Sequence, residues 1–292
     1  MDHRFKKISI IGLGLIGTSL LHAIRAKKNE EITTYAFDIN PEHRNTVLKM
    51  GIATFVSDNI NDAIMDADLV ILSIPVGSMK KVASLISSSL KEGAVVTDTG
   101  STKSSVIDDV NPFIPKNVFF VPSHPLAGTE YSGPESGFGS LFENRYWLIV
   151  SDKKTDQTKR LARFFENLGS IVETVSAEYH DKILAITSHL PHLIAYTIVG
   201  TASDLEADLK NDVIKFSASG FRDFTRIAAS DPIMWRDVFL NNSEAVLEML
   251  QRFNEDLSDL QKAIRKKEGE KLHSFFSRTR SIRKKIIKAG QI

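Results

Sequence analysis

The 292-residue chain contains no cysteine. It therefore cannot form a disulfide, hold a metal through a thiolate or use a cysteine nucleophile. A chain that relies on no disulfide is compatible with a reducing compartment, and this permits a cytoplasmic location.

The chain also has no excess of either charge, because 37 Lys and Arg residues balance 36 Asp and Glu residues and leave a net charge of +1. Such a molecule creates no strong field toward nucleic acid or membrane, and we predict neither as a partner. No apolar run approaches the roughly 20 residues that span a bilayer. The segment MDHRFKKISII runs straight into a predicted strand and leaves no room for a signal peptide. We expect a cytoplasmic protein.

The first half of the chain alternates strand-like and helix-like segments. The strand-like runs are KISIIG, ITTYAFD, DLVILSIP, AVVTDTG and VFFVPSHP, and helical candidates lie between them at 15–28, 41–50, 77–90 and 103–110. This alternation predicts βαβ units and a mostly parallel, doubly wound α/β sheet. We expect YWLIVS, a helix near 155–168 and SIVETVS to extend the same sheet.

Helical periodicity replaces the strand pattern after about residue 176. The sequence therefore predicts an α/β domain over residues 1–175 and an all-α domain over residues 176–292. The final 31 residues hold eleven Lys and Arg against two Glu. We interpret this basic segment as the solvated face of a terminal helix, rather than an anion-binding tail, because apolar residues recur in it at helical spacing. The residues expected to pack inward are Leu272, Phe275, Phe276, Ile282 and Ile286.

A glycine-rich loop, IIGLGLIGTSL, follows the first predicted strand and opens the first predicted helix. Gly12 allows a tight turn, Gly14 lets the main chain approach a pyrophosphate, and Gly17 lets the helix pack closely on the strand. The helix N-terminus then presents free N–H groups to phosphate. In this context the motif predicts dinucleotide binding, with Leu15 and Ile16 inside the binding loop.

Asp38 ends the second predicted strand, 21 residues beyond Gly17. A carboxylate at this position accepts hydrogen bonds from both ribose hydroxyls and repels a 2′-phosphate, so NAD is favoured over NADP. Arg44 follows soon after and keeps NADP open as an alternative.

Three further polar segments should lie at the ligand-binding edge of the sheet or in the helical domain. DTGSTKSS follows a strand, and Ser101 or Thr102 could cap the next helix or reach the cleft. SHPLAGTEYSG follows the next strand and holds His124 beside Pro125. We expect Pro125 and Gly128 to shape the exit from this strand.

The third segment, SHLPH, places His189 and His192 on one helix face, with Pro191 expected to kink the helix between them. Two histidines without an obvious third ligand make packing or substrate contact a better interpretation than metal binding, and we predict no metal. His180 lies nine residues before His189 and projects to roughly the opposite helix face, so it does not join the pair.

The motifs GLGLIG, DTGSTK, HPLAGTEYSG, SHLPH and GFRDFTRIAASDPIMW follow one another from residue 7 to about residue 245. As an ordered set they resemble the prephenate/arogenate (cyclohexadienyl) dehydrogenase family of tyrosine biosynthesis. The resemblance implies an N-terminal Rossmann domain that binds NAD and a C-terminal helical domain that forms a homodimer. It also implies oxidative decarboxylation, in which hydride leaves the hydroxyl-bearing ring carbon for NAD+ and the ring carboxylate leaves as CO2.

The resemblance assigns roles to individual residues. It implies that His124 accepts a hydrogen bond from the substrate 4-hydroxyl and that Ser101 lies near the same hydroxyl. Arg226 matches an arginine that anchors a substrate carboxylate, a role that suits a planar guanidinium. Further residues implied at the substrate are His189, His192, Glu130 and Trp235.

Some alternatives stay open. Glu130, Arg222 and Asp223 match residues that form gating ion pairs, but Glu130 is also a candidate partner for the ammonium group that distinguishes arogenate from prephenate. A β-hydroxyacid-type NAD(P) dehydrogenase is a second hypothesis, although that class would use a lysine where this chain has SHLPH. A non-catalytic NAD-binding protein is a third.

Overall fold

The computed structural model describes residues 5–28, 30–204, 212 and 215–288. The strands in these ranges are β1 (Lys7–Ile11), β2 (Thr33–Phe37), β3 (Phe55–Val56), β4 (Leu69–Leu72), β5 (Val95–Asp98), β6 (Phe119–Phe120), β7 (Ser123–Pro125), β8 (Tyr146–Val150) and β9 (Ile171–Val175). The helices of the same half are α1 (Leu15–Ala26), α2 (Pro41–Met50), α3 (Ile60–Ile64), α4 (Met79–Ile86), α5 (Ser104–Val110) and α6 (Asp156–Asn167).

The first six strands form one parallel sheet in the order β3-β2-β1-β4-β5-β6. Central strands β4 and β5 are buried at every residue, as expected for a parallel sheet covered by helices on both faces. Apolar side chains of β1 separate between two core clusters, since Ile10 belongs to one and Ile11 to the other. The predicted doubly wound α/β architecture is thus confirmed.

The prediction that YWLIVS and SIVETVS extend this sheet is wrong. They form β8 and β9 of a separate three-stranded sheet with the order β7-β8-β9. The predicted strand VFFVPSHP is divided at Pro122, whose carbonyl accepts a hydrogen bond from Val150 of β8 (2.8 Å). From that residue onward the chain pairs with β8 in antiparallel register.

Where the two sheets diverge, Ser123 bonds to Asp98 through side-chain groups instead of through the main-chain hydrogen bonds of a β-sheet. The Ser123 hydroxyl donates to the Asp98 carbonyl (2.8 Å), and the Ser123 N–H donates to the Asp98 carboxylate (3.2 Å). Trp147 of β8 also donates from Nε1 to the Ser123 hydroxyl (3.0 Å), while its ring stacks on Phe165. Side-chain bonds therefore satisfy the main chain at the start of β7.

The rest of the described chain is helical, with α7 (Ala177–Leu184), α8 (Leu190–Ser203), α9 (Ser219–Thr225), α10 (Pro232–Asn241), α11 (Ser243–Arg265) and α12 (Gly269–Lys288). A π-helical stretch, Ala185–His189, joins α7 to α8. Pro191 was expected to kink the helix, but the helix widens by one residue in the turn before this proline.

The continuous helix Ala177–Ser203 is long and apolar enough to cross a membrane by length and composition alone. This differs from the expectation that no segment has that character. Its His180, Asp181 and His189 are nevertheless buried inside the protein. These polar side chains place one face of the helix in the packed interior, while Ile183, Ile186, Ile198 and Val199 on its other faces are exposed.

The chain divides into two compact units, Met1–Ser243 and Glu244–Ile292. The first contains both sheets together with α7 to α10, and the second consists of most of α11 with α12. This division at residue 243 does not coincide with the predicted boundary between the α/β and all-α domains at residue 176, which stays a prediction.

The terminal helix α12 does not bury the apolar side chains as predicted. Phe276, Ile282 and Ile286 are 55%, 50% and 53% exposed, and Leu272 and Phe275 are partly exposed. On α11, Leu247, Leu257 and Ile264 are exposed as well. The second unit therefore presents an apolar surface, as well as a basic one, within the single chain.

Gly17→Ala should destabilise the fold far more than Gly14→Ala. A Cβ atom on Gly17 would lie 1.9 Å from the Gly12 carbonyl oxygen, whereas a Cβ on Gly14 would have no atom within 4 Å. We expect Gly17→Ala to lower the free energy of unfolding by about 3 kcal/mol and Gly14→Ala to change it by less than about 1 kcal/mol. Urea denaturation of both variants measures the difference. Equal losses would show that the close approach at Gly17 is not what sets stability.

Candidate active site

The glycine-rich loop has the geometry that a pyrophosphate requires. Gly12 adopts a φ of +98°, and a Cβ there would lie 2.1 Å from the Ser73 carbonyl oxygen. Gly14 has φ −76° and faces open space, and helix α1 has no side-chain cap at its N-terminus. The N–H groups at the start of α1 can therefore point at phosphate oxygens without steric interference.

Asp38 lies directly after β2 and holds the glycine-rich loop in place. Its carboxylate accepts hydrogen bonds from the N–H groups of Leu13 (2.7 Å) and Asn40 (2.8 Å), and His43 lies 3.3 Å away. The side chain is still partly exposed, so its oxygens retain the capacity to accept further hydrogen bonds from ribose hydroxyls.

Arg44, the residue that kept NADP open, donates to the carbonyl groups of Asp38 (2.6 Å) and Ile39 (3.1 Å). Its guanidinium is thus engaged with the main chain beside Asp38. The carboxylate remains next to any ribose placed there, which favours a free 2′-hydroxyl over a 2′-phosphate.

His124 lies in the short strand β7 and is buried. Its Nδ1 is 2.9 Å from Nε2 of His180, a residue that the sequence pattern places away from the site. Burial, together with the neighbouring His180, Lys103 and His189, lowers the pKa of His124 well below its ordinary value. The imidazole is therefore neutral near pH 7 and keeps a ring-nitrogen lone pair that can accept a hydrogen bond.

The sequence leads us to expect that Pro125 and Gly128 shape the turn by which the chain leaves the strand, and the structure differs in detail. Pro125 is paired with Trp147 as part of β7, and the residue with left-handed backbone in this segment is Gly133 (φ 85°), not Gly128.

The loop between β5 and α5 contacts the strand that carries His124. Lys103 is fully buried and its ammonium contacts the Asp98 carboxylate and the Ser123 carbonyl. Burial lowers the pKa of Lys103, while Asp98 opposes that effect. This ion pair ties the end of β5 to the start of β7, so it fixes the strand that carries His124.

Neither Ser101 nor Thr102 caps helix α5. The N–H groups of Lys103 and Ser104 donate instead to the two carboxylate oxygens of Asp181, at 2.8 Å each. Asp181 belongs to α7, 77 residues further along the chain than Ser104. This long-range cap leaves Ser101 partly exposed at the start of the loop.

His189 is fully buried at the end of the π-helical stretch. Its Nδ1 lies 3.1 Å from the amide nitrogen of Asn242, which also donates to the Asp181 carbonyl (2.9 Å). Since that nitrogen is a donor, Nδ1 of His189 accepts and Nε2 carries the hydrogen. This Nε2 makes no hydrogen bond of good geometry with the described residues, although the Ser101 main chain lies close enough to raise the pKa of His189 slightly against the effect of burial.

Trp235 of α10 packs against both histidines of SHLPH. Its ring stacks on His192 with centroids 3.6 Å apart and meets His189 edge to face at 6.1 Å. Its Nε1 is buried and likewise has no partner within the part of the chain that the structure describes. His189 and Trp235 thus provide two buried N–H donors for oxygen atoms of a ligand.

His192 differs from His189 in its environment, because its Nδ1 hydrogen-bonds to the Ser188 carbonyl (2.8 Å) and its side chain is only partly buried. Burial lowers the pKa of His192 and lowers that of His180 as well. The site therefore contains four histidines that favour the neutral form.

Arg226 and Glu130 form an ion pair, with Nη1 donating to Oε2 at 2.7 Å. The Arg226 side chain is 56% exposed and that of Glu130 is 18% exposed. Arg222 and Asp223, the other charged residues of this motif, are exposed. The structure therefore brings Glu130 and Arg226 together and leaves Arg222 and Asp223 at the surface.

Sequence reasoning missed His180, Asp181, Lys103 and Asn242. In a regular α-helix, the nine residues between His180 and His189 separate the two side chains by half a turn, so the sequence pattern predicts opposite faces. The π-helical stretch changes that relation, and the sequence signal that could have indicated it is Pro191, since proline disturbs the preceding turn.

A contiguous path links the glycine-rich loop to His124. Gly12 lies against Ser73, Thr99 donates to the Ser73 hydroxyl (3.3 Å), and Asp98 is bonded to Ser123. These residues follow β1, β4 and β5, whose carboxyl ends share one edge of the sheet. A glycine-rich loop at this sheet edge, with a neutral imidazole on the adjoining strand β7, is typical of a Rossmann-fold dehydrogenase.

Comparison with known proteins identifies the family. A sequence model described as the nucleotide-binding domain of prephenate dehydrogenase matches residues 22–174, and a model described as its dimerization domain matches residues 176–278. The chain belongs to the prephenate dehydrogenase family.

Individual relatives agree with this assignment. The cyclohexadienyl dehydrogenase of Zymomonas mobilis is 40% identical over 96% of this chain and 95% of its own length. The prephenate dehydrogenase of Lactococcus lactis is 34% identical over 95% of this chain and 77% of its own length. The prephenate dehydrogenase of Aquifex aeolicus, solved with hydroxyphenyl propionate and NAD+, has a TM-score of 0.88 at 35% identity and covers 98% of this chain and 100% of its own.

Stability should fall as the pH drops from about 6.5 toward 4, because burial, with a smaller contribution from His180, lowers the pKa of His189 to about 4. Above pH 6.5 both folded and unfolded forms hold a neutral imidazole. Below pH 6.5 this histidine binds a proton in the unfolded chain but not in the folded protein. The resulting loss in the free energy of unfolding reaches about 3 kcal/mol for this residue. Urea denaturation between pH 8 and pH 4.5 measures the effect.

His189→Asn serves as the test variant, since an Asn oxygen can still accept from Asn242. It should lose part of this pH dependence, whereas the exposed His273→Asn should follow the wild-type curve. A His189→Asn curve parallel to wild type would contradict the assignment.

Proposed function

We propose that the chain catalyses the NAD-dependent oxidative decarboxylation of prephenate, arogenate or both, to give 4-hydroxyphenylpyruvate or tyrosine. The observation that carries the proposal is a buried, neutral His124 at the sheet edge that also holds the glycine-rich loop. Family membership supplies the reaction class, because the relatives at 31–40% identity over most of the chain are named as cyclohexadienyl or prephenate dehydrogenases.

The residues fit NAD as the cofactor, which would accept a hydride from the ring when bound. The open space at Gly14 and the uncapped N–H groups of Leu15, Ile16 and Gly17 suit a pyrophosphate. Asp38 would accept hydrogen bonds from the ribose hydroxyls, and its charge disfavours the 2′-phosphate of NADP.

His124 would act as the proton acceptor. As hydride leaves the hydroxyl-bearing ring carbon, the C–O bond becomes a carbonyl and the hydroxyl proton must leave, so a neutral imidazole within hydrogen-bond reach assists the step. Loss of the ring carboxylate as CO2 needs no acid, because it makes the ring aromatic. Ser101, in the loop between β5 and α5, would contact the same hydroxyl.

The two unpaired donors would bind substrate oxygens. His189 through Nε2 and Trp235 through Nε1 offer N–H groups that are already desolvated, so a carboxylate or carbonyl oxygen would complete their hydrogen bonding. His192 stacks on Trp235 and would orient that ring.

Arg226 would anchor a second substrate carboxylate. In the present state it pairs with Glu130, and the exchange of that partner for a substrate carboxylate would couple binding to the movement of Glu130. A freed Glu130 carboxylate near the side chain would favour the ammonium of arogenate over the keto group of prephenate.

A homodimer formed through the helical segment is part of this proposal. The model matching residues 176–278 is described as a dimerization domain, and α11 and α12 expose apolar side chains that a partner copy would cover. We also propose a cytoplasmic location, because the polar interior face of Ala177–Ser203 argues against a bilayer span.

Steady-state assays of the purified protein with prephenate and arogenate, each with NAD+ and NADP+, test the function. We expect turnover of at least one ring substrate with CO2 release and a preference for NAD+. His124→Asn should lower kcat by about 10²-fold or more while NAD+ binding, measured by fluorescence titration, stays close to wild type. Unchanged kcat in this variant would remove His124 from the mechanism, and no turnover of either substrate by the wild type would refute the function.

Ile282→Asp combined with Ile286→Asp should weaken the dimer, because both side chains are about half exposed on one face of α12 and a charge there would be desolvated on association. Analytical ultracentrifugation over a concentration series should show the dissociation constant rising by about tenfold or more. Ser277→Asp, which lies on a different face of the same helix, is the matched control. A variant that stays as dimeric as this control would place the interface elsewhere.

A further inference from the structure

A chain of hydrogen bonds leads from His124 into the protein interior. Nδ1 of His124 meets Nε2 of His180 at 2.9 Å, and Nδ1 of His180 meets Oδ1 of Asp181 at 2.8 Å. All three side chains are buried, with His180 fully inaccessible to solvent. Water therefore does not compete for these contacts, and the donor at each junction is set by the protein alone.

Asp181 is held as a carboxylate. Burial alone would raise the pKa of Asp181, but hydrogen bonds from His180 and Ser104 outweigh this and keep it below its ordinary value. The N–H groups of Lys103 and Ser104 at the start of α5 occupy both oxygens. A carboxylate in this position can only accept, so Nδ1 of His180 must donate to it.

The donor and acceptor in the contact between His180 and His124 follow from the hydrogen bond between His180 and Asp181. A neutral His180 that donates from Nδ1 has its lone pair on Nε2, so Nδ1 of His124 must be the donor in the contact between the two rings. The lone pair of His124 is then on Nε2. That atom is not used in the contact with His180 and can accept a hydrogen bond from a ligand.

We propose that Asp181 and His180 are positioning residues that fix His124 as the Nδ1–H tautomer, so that Nε2 presents its lone pair to the substrate. The part played by the substrate hydroxyl rests on the proposed function, whereas the tautomer is a property of the free protein. The opposite tautomer would place N–H at Nε2 and could not accept the hydroxyl proton. In the serine-protease triad, the corresponding loss of tautomer control costs about 10⁴-fold in turnover.

The tautomer can be observed directly by NMR of the full-length protein labelled with ¹⁵N in the histidine rings. Two-bond ¹H–¹⁵N correlation at pH 7.5 distinguishes protonated from unprotonated ring nitrogens, and the His124 signals are those absent from His124→Asn. We expect a protonated Nδ1 and an unprotonated Nε2 at residue 124. Protonation at Nε2, or at both nitrogens, would overturn the proposal.

Two substitutions at His180 separate positioning from packing. His180→Gln can still accept from His124 and donate to Asp181 through the two ends of its amide, whereas His180→Leu fills space without either bond. We expect His180→Leu to lower kcat by at least tenfold with little change in KM, and to give mixed tautomers at His124. His180→Gln should recover most of the turnover and the Nδ1–H tautomer.

An unchanged His124 tautomer in His180→Leu would show that His180 does not set it. If wild type turns over neither ring substrate, the proposed function fails while the NMR result on the free protein still decides the tautomer. The two ideas can therefore fail separately.

Discussion

The Asp181 carboxylate is the contact on which the rest of the candidate site depends. It caps α5 through the N–H groups of Lys103 and Ser104, and it also accepts from His180, which touches His124. One side chain thus joins the loop after β5, the first helix of the all-helical segment and the strand β7. Because the cap comes from a distant part of the chain, the start of α5 is satisfied only when α7 is packed against α5. The site and the fold of the first unit are therefore completed by the same contact.

Desolvation is the second constraint, and it acts on all the imidazoles in the same direction. Burial lowers the pKa of His124, His180, His189 and His192, so the site holds neutral rings that can accept or donate single hydrogen bonds. The buried ammonium of Lys103 forms an ion pair with Asp98. The positive charge of Lys103 also contributes to the lowered pKa of His124. A cluster of neutral rings beside unpaired N–H donors suits an anionic ligand whose hydroxyl proton must be removed.

Local sequence was enough to predict the parallel sheet and the place of the glycine-rich loop between β1 and α1, because strand periodicity and glycine spacing express requirements of single segments. The cofactor contacts of this loop and of Asp38 stay predictions. It was not enough to predict that β7 leaves the main sheet, since that depends on side-chain bonds between Ser123 and Asp98. The family motifs indicated His124, His189, Trp235 and Arg226 as candidate site residues. The roles of these residues in catalysis and binding stay predictions. The partners His180 and Asp181 escaped, because a cap supplied from 77 residues away leaves no local pattern.

The π-helical stretch Ala185–His189 has a consequence for the alignment of the two helices that it joins. One more residue per turn means less rotation per residue, so this stretch resets the angular phase of everything that follows, starting with His189. It behaves as a one-residue insertion: the extra residue lies in a single turn, but the rotation that it introduces carries through all of α8. Deleting one residue within it would restore a regular helix but turn α8 by about 100° relative to α7. His189 and His192 would then leave the side of the helix that faces Trp235 while His180 kept its place. The phase of a single turn thus decides which residues of this helix share one site.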